Sequence, residues 1–283
     1  MRRFSLRGDP DIDYWVGNLI DNDFFLSVEK ITRHDIFLST VQHTYGRNKA
    51  IENFWEQLNW LRTGWLDLVY IAMPRGTDEN SVDESEWAAF IEAYKVLHEI
   101  SELECPESEC GLQKDGKTFK RIRAIGVSDA SYESLTRLIK EPGLSLPVVV
   151  QNKFDVYRQG ELLLHRETQI LELCEKHQIV IEAYDPVSGH PFIMSPEDDP
   201  HVLQISKALG KSPEQVMTRW TTQHGFVPTV SLNSKEKIYD LARGIYDFTI
   251  PDVWMSRISS IQWLAYSPLN MATGKDHYGV GPV

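Results

Sequence analysis

Apolar and polar positions along the chain alternate between two patterns. Short runs of β-branched and other apolar residues are followed by segments in which apolar residues recur at helical spacing. Between Lys49 and Leu61, for example, Ile51, Phe54 and Leu58 recur three and four residues apart. This alternation is typical of parallel βαβ units, in which each strand is followed by a helix that covers the sheet.

Six strands and seven helices are predicted from this pattern. The predicted strands are Ile36–Val41, Leu66–Ile71, Ile122–Val127, Pro147–Gln151, Ile179–Tyr184 and Phe226–Val230. The predicted helices are Lys49–Leu61, Ser85–Leu103, Tyr132–Ile139, Glu167–His177, Val202–Leu209, one that begins at Ser212, and Lys235–Arg243. Ser212 and Pro213 supply an N-cap and a first-turn proline for the sixth helix.

Length and composition indicate one large globular domain. The chain has 283 residues, of which 42% are hydrophobic and 25% are charged, and α/β barrels often have this length. We therefore predict a single domain over residues 1–283. Within it, residues 1–16 form a divergent N-terminal segment, 101–120 an acidic insertion loop and 259–283 a C-terminal tail.

The charge balance narrows the class of partners. The net charge is −12 and the pI is near 5.2, which argues against binding to nucleic acid or to an anionic membrane. No apolar run approaches the ~20 residues that a membrane helix needs, and the basic N-terminus lacks the apolar core of a signal peptide. We expect a cytoplasmic protein that binds a small-molecule substrate.

Three cysteines, Cys105, Cys110 and Cys174, cannot all pair within one chain. Their number indicates reduced thiols in a cytosolic protein. Cys105 and Cys110 flank Pro-Glu-Ser-Glu, and a metal site there would need further Cys or His ligands, none of which is close in sequence. We therefore predict a surface loop and no metal site.

Several stretches resemble the aldo-keto reductase family. The matching stretches are Asp35-Ile-Phe-Leu-Ser-Thr, Leu66-Asp-Leu-Val-Tyr-Ile, Ile122-Arg-Ala-Ile-Gly-Val-Ser128, Val149-Val-Gln-Asn152, Ile181-Glu-Ala-Tyr-Asp-Pro186, Gly210-Lys-Ser-Pro-Glu-Gln-Val216, Arg219-Trp220 and Tyr246-Asp-Phe248. In order and spacing they cover residues 17–258. The resemblance implies a TIM-type (β/α)8 barrel of the aldo-keto reductase type, incomplete or modified at its first βα units, and a nicotinamide cofactor.

The resemblance also implies a four-residue active site that this sequence does not reproduce. Family members use an aspartate and a tyrosine after the second strand, a lysine at the end of the third and a histidine at the end of the fourth. The lysine position aligns with Val41 and the histidine position with Ala72. The family's Tyr-Gly-Asn step resembles Val16-Gly-Asn, which places Val16 at the tyrosine position. Tyr14 is the nearest substitute, and Asp11 is near the spacing of the aspartate.

The cofactor residues are retained in part. Ser128, Gln151 and Tyr184 match residues that hold and stack the nicotinamide in the family, and Asp129 replaces the usual asparagine. Toward the adenosine phosphate, the matching residues are Ser231, Asn233 and Lys237, and Leu241 replaces an asparagine. Lys237 stands for the usual arginine without its two-pronged guanidinium. NADP is thus the implied cofactor at a weakened site, and our preferred interpretation requires none.

The start of the chain is short for this fold. Only 34 residues precede Asp35, whereas one βαβ unit alone takes about 30 residues or more. Because an open barrel would expose two strand edges, we expect a cover from residues 2–16, from the strand-like segment 261–266, or from a second copy in a homodimer.

Polar residues at the carboxyl ends of the strands are the catalytic candidates. These candidates are His43, Asp129, Lys153, Asp155 and Tyr184. Lys153 and Asp155 alternate with Gln151, so an extended backbone would aim all three side chains the same way. The alternative for each residue is an ordinary solvated role, because strand-end loops are polar in any barrel.

Three functions fit these observations. The preferred hypothesis is a repurposed biosynthetic enzyme that performs cyclisation, dehydration or isomerisation without a cofactor. The second is a slow NADPH-dependent reductase with a displaced proton donor, such as Tyr14 or His43, and the third is a non-catalytic barrel that binds nucleotide or acts as a scaffold. A truncated gene product, which would fold poorly, is a fourth interpretation.

Overall fold

The computed structural model describes residues 2–6, 8–21, 32–74, 82–159, 167–187, 195–231 and 234–261. The chain divides into two compact units. The first contains residues 1–130 and 137–149, and the second contains residues 131–136 and 150–283. Among the described residues, every helix is too short or too polar to cross a membrane.

The first unit is a parallel sheet with helices between its strands. In chain order it contains β1 (Arg2–Ser5), α1 (Pro10–Asp21), β2 (Ile36–Gln42), α2 (Arg47–Trp60), β3 (Leu68–Ala72), α3 (Glu84–Ser101), β4 (Glu104–Cys105), α4 (Glu107–Cys110), β5 (Phe119–Lys120) and β6 (Ile125–Ser128). Helix α5 (Tyr132–Lys140) has residues in both units. The main strands follow the order β1-β2-β3-β6, and each neighbouring pair is parallel.

Strand β1 pairs with the edge of β2 for which the sequence analysis predicted a cover. It pairs with β2 in a register that joins Arg2 to Ile36 and Ser5 to Ser39, so the expected cover from residues 2–16 is confirmed for residues 2–5. The expected strand at 261–266 lies outside the described residues except for Ile261, which is buried at the end of the chain's last described helix. The homodimer stays a prediction.

Every residue of β3 is buried, as expected for a strand that is covered on both faces. Alternate side chains point to one face, where Leu68, Tyr70 and Ala72 join Val41 and Val149 in an apolar cluster. Gly126 of β6 lies against this cluster, because a Cβ there would lie 2.8 Å from the Tyr70 ring and 2.6 Å from a Val149 methyl. This interior cluster lines the first unit's sheet.

Residues 101–120 are more ordered than the predicted loop. Strands β4 and β5 pair antiparallel, α4 lies between them, and Cys105 and Cys110 form a disulfide with Cα atoms 6.0 Å apart. Cys105 is fully buried with Trp65 and Phe119. The expectation of reduced thiols is therefore wrong at this pair. The expected surface position holds for residues 106–109, which are exposed, whereas Cys105 itself is buried. Cys174 is a free, buried thiol.

The second unit holds the remaining described strands and helices. In chain order these are β7 (Val149–Asp155), β8 (Arg158–Gln159), α6 (Glu167–Lys176), β9 (Val180–Tyr184), α7 (Pro200–Leu209), α8 (Pro213–Gln223), β10 (Val227–Thr229), α9 (Lys235–Gly244) and α10 (Asp252–Ser259). Strand order is β7-β9-β10, and β8 pairs antiparallel with β7. Trp220 stacks on Phe154 in the core, with ring centroids 5.1 Å apart.

The predicted N-cap of the helix that begins at Pro213 is confirmed. Ser212 caps α8: its Oγ accepts a hydrogen bond from the Gln215 backbone N–H, and the Gln215 side chain accepts one from the Ser212 N–H. The six predicted strands correspond to β2, β3, β6, β7, β9 and β10. They place the candidate residues at strand ends.

Candidate functional site

In the first unit, the carboxyl ends of β2 and β3 are apolar on their inner face. Val41 and Ala72 occupy the positions where the resemblance implies a lysine and a histidine. Both belong to the interior cluster around Tyr70, and they are only 5% and 6% exposed. The Tyr45 hydroxyl donates to the Ala72 carbonyl oxygen at 3.0 Å. No ionisable side chain from these two positions reaches the interior.

Ser128 ends β6 with an unused hydroxyl. It lies on the same face as Gly126, two residues earlier, and is buried. Its Oγ has no hydrogen-bond partner among the described residues, although a buried hydroxyl normally has one. The next residue, Asp129, has φ 55°, a left-handed conformation that aspartate and asparagine tolerate best among non-glycine residues. This backbone conformation accommodates both the aspartate found here at position 129 and the asparagine that is usual in the family.

Three further candidates of the first unit lie away from that interior cluster. His43 is exposed just after β2. Val16 and Tyr14 lie within α1, which begins at Pro10, and not in a loop after a strand. Tyr14 is half exposed, and the Arg62 guanidinium lies 5.7 Å from its ring. The assignment of Val16 to the tyrosine position and the role of Tyr14 as a displaced donor stay predictions, now placed on the helix that follows β1.

In the second unit, a buried polar network crosses three strands. The Gln151 side-chain amide donates to Glu182 Oε1 at 2.9 Å, and the Thr229 hydroxyl donates to the same oxygen at 2.6 Å. Glu182 is completely buried, so these donors offset part of the cost of removing its charge from water. Gln151 therefore serves a carboxylate within the protein, in addition to any role toward a ligand.

The structure brings Lys153 and Asp155 together as predicted. The Lys153 ammonium lies 3.3 Å from Asp155 Oδ2 and donates a short hydrogen bond to the Asp185 carbonyl oxygen. Asp155 Oδ1 accepts from the Tyr157 backbone N–H at 2.8 Å. Asp155 is fully buried and Lys153 is 7% exposed. The pair is a strongly desolvated acid and base at the end of β7.

Tyr184 is the last residue of β9, and Asp185 follows it. Tyr184 is half-buried and shares a strand face with Glu182. Asp185 has φ 48°, and its backbone N–H donates to the Thr229 carbonyl oxygen at 2.8 Å. Asp185 is partly buried. Its backbone carbonyl oxygen accepts the hydrogen bond from the Lys153 ammonium.

The residues expected to hold the adenosine phosphate differ in their availability. Lys237 is about half exposed and lies 2.6 Å from Glu214 and 3.7 Å from Glu197. Its hydrogen bond to Glu214, followed by the charge of Glu214, raises the pKa of Lys237. Ser231 is exposed, and Asn233 lies outside the described residues. A phosphate at Lys237 would have to compete with two carboxylates.

The residues therefore fit the nicotinamide end of a dinucleotide better than its phosphate end. Ser128 offers a buried hydroxyl that has no hydrogen-bond partner among the described residues. The Lys237 ammonium, in contrast, already forms an ion pair with Glu214. The sequence did not single out Glu182, Thr229 or the buried Tyr157–Asp199 hydrogen bond of 3.0 Å. One signal was available for Glu182, since a lone acid within an apolar strand is costly unless it is paired.

Comparisons with known proteins agree with these observations. The model of the aldo/keto reductase family matches residues 30–262. The NADPH-dependent alpha-keto amide reductase of Saccharomyces cerevisiae is 27% identical over 196 residues, which are 66% of this chain and 60% of that protein. The chain spans less than half of two other curated relatives that it matches.

Solved structures extend the likeness to the fold. An aldo/keto reductase from Brucella melitensis superimposes with a TM-score of 0.68 at 23% identity, over 92% of this chain and 84% of that one. A Bombyx mori aldo-keto reductase in complex with NADP gives 0.71 at 18% identity, over 98% and 84%. The fold is thus a (β/α)8-type barrel. Because the family model matches most of its length, the chain belongs to the aldo/keto reductase family.

Proposed function

We propose that this chain catalyses a non-redox acid–base step, such as an isomerisation, dehydration or cyclisation, on a small organic metabolite. The observation that carries the proposal is the desolvated Lys153–Asp155 pair at the carboxyl end of β7. Active sites of such barrels lie at the carboxyl ends of the strands. Buried acid–base pairs with a specific charge partner are frequent at such sites.

The interior cluster supports a step other than hydride transfer. In the family, a cation near the tyrosine lowers its pKa so that it donates a proton at neutral pH. Here the corresponding interior positions hold Val41 and Ala72, within an apolar cluster. A tyrosine without a neighbouring cation keeps a pKa of about 10, which would make proton donation slow. The apolar residues at the positions that the family resemblance assigns to the lysine and the histidine are the basis for preferring non-redox chemistry.

The geometry suggests a role for each group of the pair. Lys153 is the member with residual exposure, and it donates a proton toward a substrate carbonyl oxygen. The carboxylate of Asp185, whose backbone oxygen already binds Lys153, takes a proton from the adjacent carbon. The intermediate is an enediol. Asp185 then returns its proton to the other carbon, and the second hydroxyl gives its proton back to Lys153, which yields the isomer. Asp155 is a positioning residue that holds Lys153 in place.

Deuterium exchange tests this step directly. Nucleotide-free protein is incubated with a panel of small α-hydroxy ketones in D2O, and loss of the α-proton signals is followed by NMR. We expect exchange by the wild type and a fall of about 10²–10⁴-fold in Lys153→Met, the usual contribution of general acid–base groups. Lys211→Met is the matched control, because Lys211 pairs with Asp247 at 2.7 Å near the surface. Equal rates in wild type and Lys153→Met would contradict the proposal.

A second function, slow NADPH-dependent carbonyl reduction, is favoured by one observation. The unpartnered Ser128 hydroxyl fits a polar ligand atom, and a relative is an NADPH-dependent reductase. Binding is measured by titrating the protein with NADPH while tryptophan fluorescence is recorded. Turnover is measured as NADPH oxidation in the presence of aldehydes. Binding with turnover supports this second function, whereas tight binding without any turnover supports a nucleotide-binding scaffold.

A further inference from the structure

We propose that Cys105, Cys110 and Glu109 form a redox-gated binding site for a soft divalent cation such as Zn²⁺. The site belongs to the first unit, at the segment that leads into β3. It involves none of the residues considered above for catalysis or for NADP. With the cysteines reduced the site binds the cation, and with the disulfide formed it does not.

Three candidate metal ligands, two sulfurs and one carboxylate, converge at one point. The Sγ atoms of Cys105 and Cys110 and a carboxylate oxygen of Glu109 all lie within 4.8 Å of one another. The point is marked by Gly64: a Cβ there would lie 2.3 Å and 2.6 Å from the two sulfurs and 2.8 Å from Glu109 Oε1. Gly64 thus leaves space for three donors that face the same small volume.

The ligand set suits zinc, which binds thiolates, carboxylates and imidazoles in four-coordinate sites. Glu109 is fixed by Arg121, whose guanidinium donates to both carboxylate oxygens at 2.6 Å and 2.8 Å. Each carboxylate oxygen has two lone pairs, so one remains for a metal beside the bond to Arg121. Cys105 packs with Trp65 and Phe119 in a buried cluster.

The site is reachable through a cavity. A cavity of about 990 Å³ is lined by Cys110, Glu109 and Gly64, among other residues, and it admits a hydrated ion to the half-buried Cys110 sulfur. The cavity is also lined by His34, whose Nε2 lies 3.7 Å from the position of a Cβ on the neighbouring Gly111. His34 is exposed, so a side-chain rotation or a water molecule supplies the fourth ligand.

The gate is an ordinary thiol–disulfide exchange. A dithiol reductant attacks the Cys105–Cys110 disulfide, becomes a disulfide itself, and leaves two protein thiols, which accounts for two electrons and two protons. Zn²⁺ then binds both sulfurs and releases the two thiol protons. In the reverse direction a disulfide oxidant takes up the two electrons and two protons from solvent and becomes a dithiol, the two protein sulfurs rejoin, and the Zn²⁺ leaves. A loop of four residues between the cysteines keeps the two sulfurs close in both states.

The remaining thiol provides an internal control. Cys174 belongs to the second unit and is buried, and this burial raises its pKa to about 12. Cys174 is not among the three residues that cluster at the proposed site. Replacement of Cys174 should therefore leave metal binding unchanged.

Cobalt binding tests the site on the full chain. Protein is reduced with a dithiol, freed of reductant without air, and titrated with Co²⁺, which shows an intense thiolate charge-transfer band when cysteines ligate it. We expect one Co²⁺ per reduced chain, its displacement by Zn²⁺, and no band for the oxidised chain. Cys174→Ser should behave as the wild type. Equal binding by reduced and oxidised protein, or no band in the reduced protein, would overturn the proposal.

Variants identify the ligands. Cys110→Ser should abolish two-thiolate binding, and Glu109→Gln should weaken Co²⁺ binding by more than about tenfold while it preserves size and fold. Gly64→Ala places a methyl group among the donors and should weaken binding without removing any ligand. Circular dichroism checks that each variant folds. Unchanged affinity in both Glu109→Gln and Gly64→Ala would reject this site even if the protein binds cobalt elsewhere.

Discussion

The strand ends of the two units differ sharply in chemistry. In the first unit, the inner face at the ends of β2 and β3 is closed by Val41, Tyr70 and Ala72. In the second unit, the corresponding ends of β7 and β9 carry the Gln151–Glu182 hydrogen bond and the Lys153–Asp155 ion pair. At these strand ends the first unit is thus apolar at Val41 and Ala72, whereas the second unit carries a buried carboxylate and a buried ion pair.

Burial of the Lys153–Asp155 ion pair has a cost in free energy, because both charges are removed from water. Buried ion pairs rarely stabilise a protein more than apolar residues of the same size would. Their presence in β7 and β9 is therefore better explained by function than by stability, whereas the apolar replacement in β2 and β3 carries no such cost. The predictions below test this contrast from the largest expected effect to the smallest.

Removal of one member of the buried pair should have the largest effect. Asp155→Ala leaves the Lys153 ammonium without its carboxylate in a desolvated place, and we expect a loss of about 3–5 kcal/mol in the free energy of unfolding. Urea denaturation measures it. The control Glu99→Ala breaks the exposed Arg47–Glu99 pair and should cost less than about 1 kcal/mol. Similar losses in both variants would remove the contrast between the units.

Restoration of the family's lysine should be harmful in the apolar half. Val41→Lys buries an unpaired ammonium in the interior cluster, and we expect a loss of about 3 kcal/mol in unfolding free energy. Val148→Lys is the matched control, because Val148 is 51% exposed, and it should change stability by less than about 0.5 kcal/mol. A stable Val41→Lys protein would mean that the first unit's interior is polar or hydrated after all.

A smaller effect should follow from loss of one donor to Glu182. Thr229→Val removes the hydroxyl that donates to Glu182 Oε1, and hydrogen bonds to charged groups contribute about 1.5–3 kcal/mol. Thr222→Val, whose hydroxyl donates to the Arg219 carbonyl within α8, should cost about 1 kcal/mol or less. Chemical denaturation of the two variants compares them. A larger effect at Thr222 would show that Glu182 does not depend on its network.

The smallest effect concerns a buried carboxylate of the first unit. Both oxygens of Asp13 lack a hydrogen-bond partner among the described residues, and burial, followed by the charge of Asp9, raises its pKa to about 6. Because the folded state binds this proton more tightly than the unfolded state, the stabilisation is fully present below pH ~4 and is lost as the pH rises through about 6.

Asp13→Asn should therefore be more stable than the wild type at pH 7.5, by about 1 kcal/mol, and should lose this advantage near pH 4. Thermal unfolding at the two pH values measures the difference. An advantage of equal size at both pH values would assign the effect to helix propensity in α1 and not to the proton.

Much of the framework could be predicted from the sequence because it depends on local patterns. Apolar periodicity located β2, β3, β6, β7, β9 and β10, and the Ser212-Pro213 step located the start of α8. The spacing of Lys153 and Asp155 predicted their contact, since strand residues two apart share a face. Each of these inferences needs only neighbours in the sequence.

Contacts between distant segments could not be predicted in this way. The sequence predicted a cover somewhere within residues 2–16, but the register that joins Arg2 to Ile36 depends on contacts between segments more than thirty residues apart. The Cys105–Cys110 pair was expected to be reduced because composition reports the compartment and not local packing around Trp65. The partner of Lys237, Glu214, likewise comes from another helix.

Our proposal that this member of the family performs a non-redox step depends on the absence of hydride transfer, and a measurement of NADPH consumption tests that absence. Purified wild type is mixed with NADPH and a panel of aldehydes, ketones and α-keto amides, and the loss of NADPH absorbance is followed over hours. The account predicts no consumption above that of NADPH alone, in the same preparation that exchanges α-protons in D2O without nucleotide. Steady NADPH oxidation coupled to reduction of any of these carbonyl compounds would contradict it.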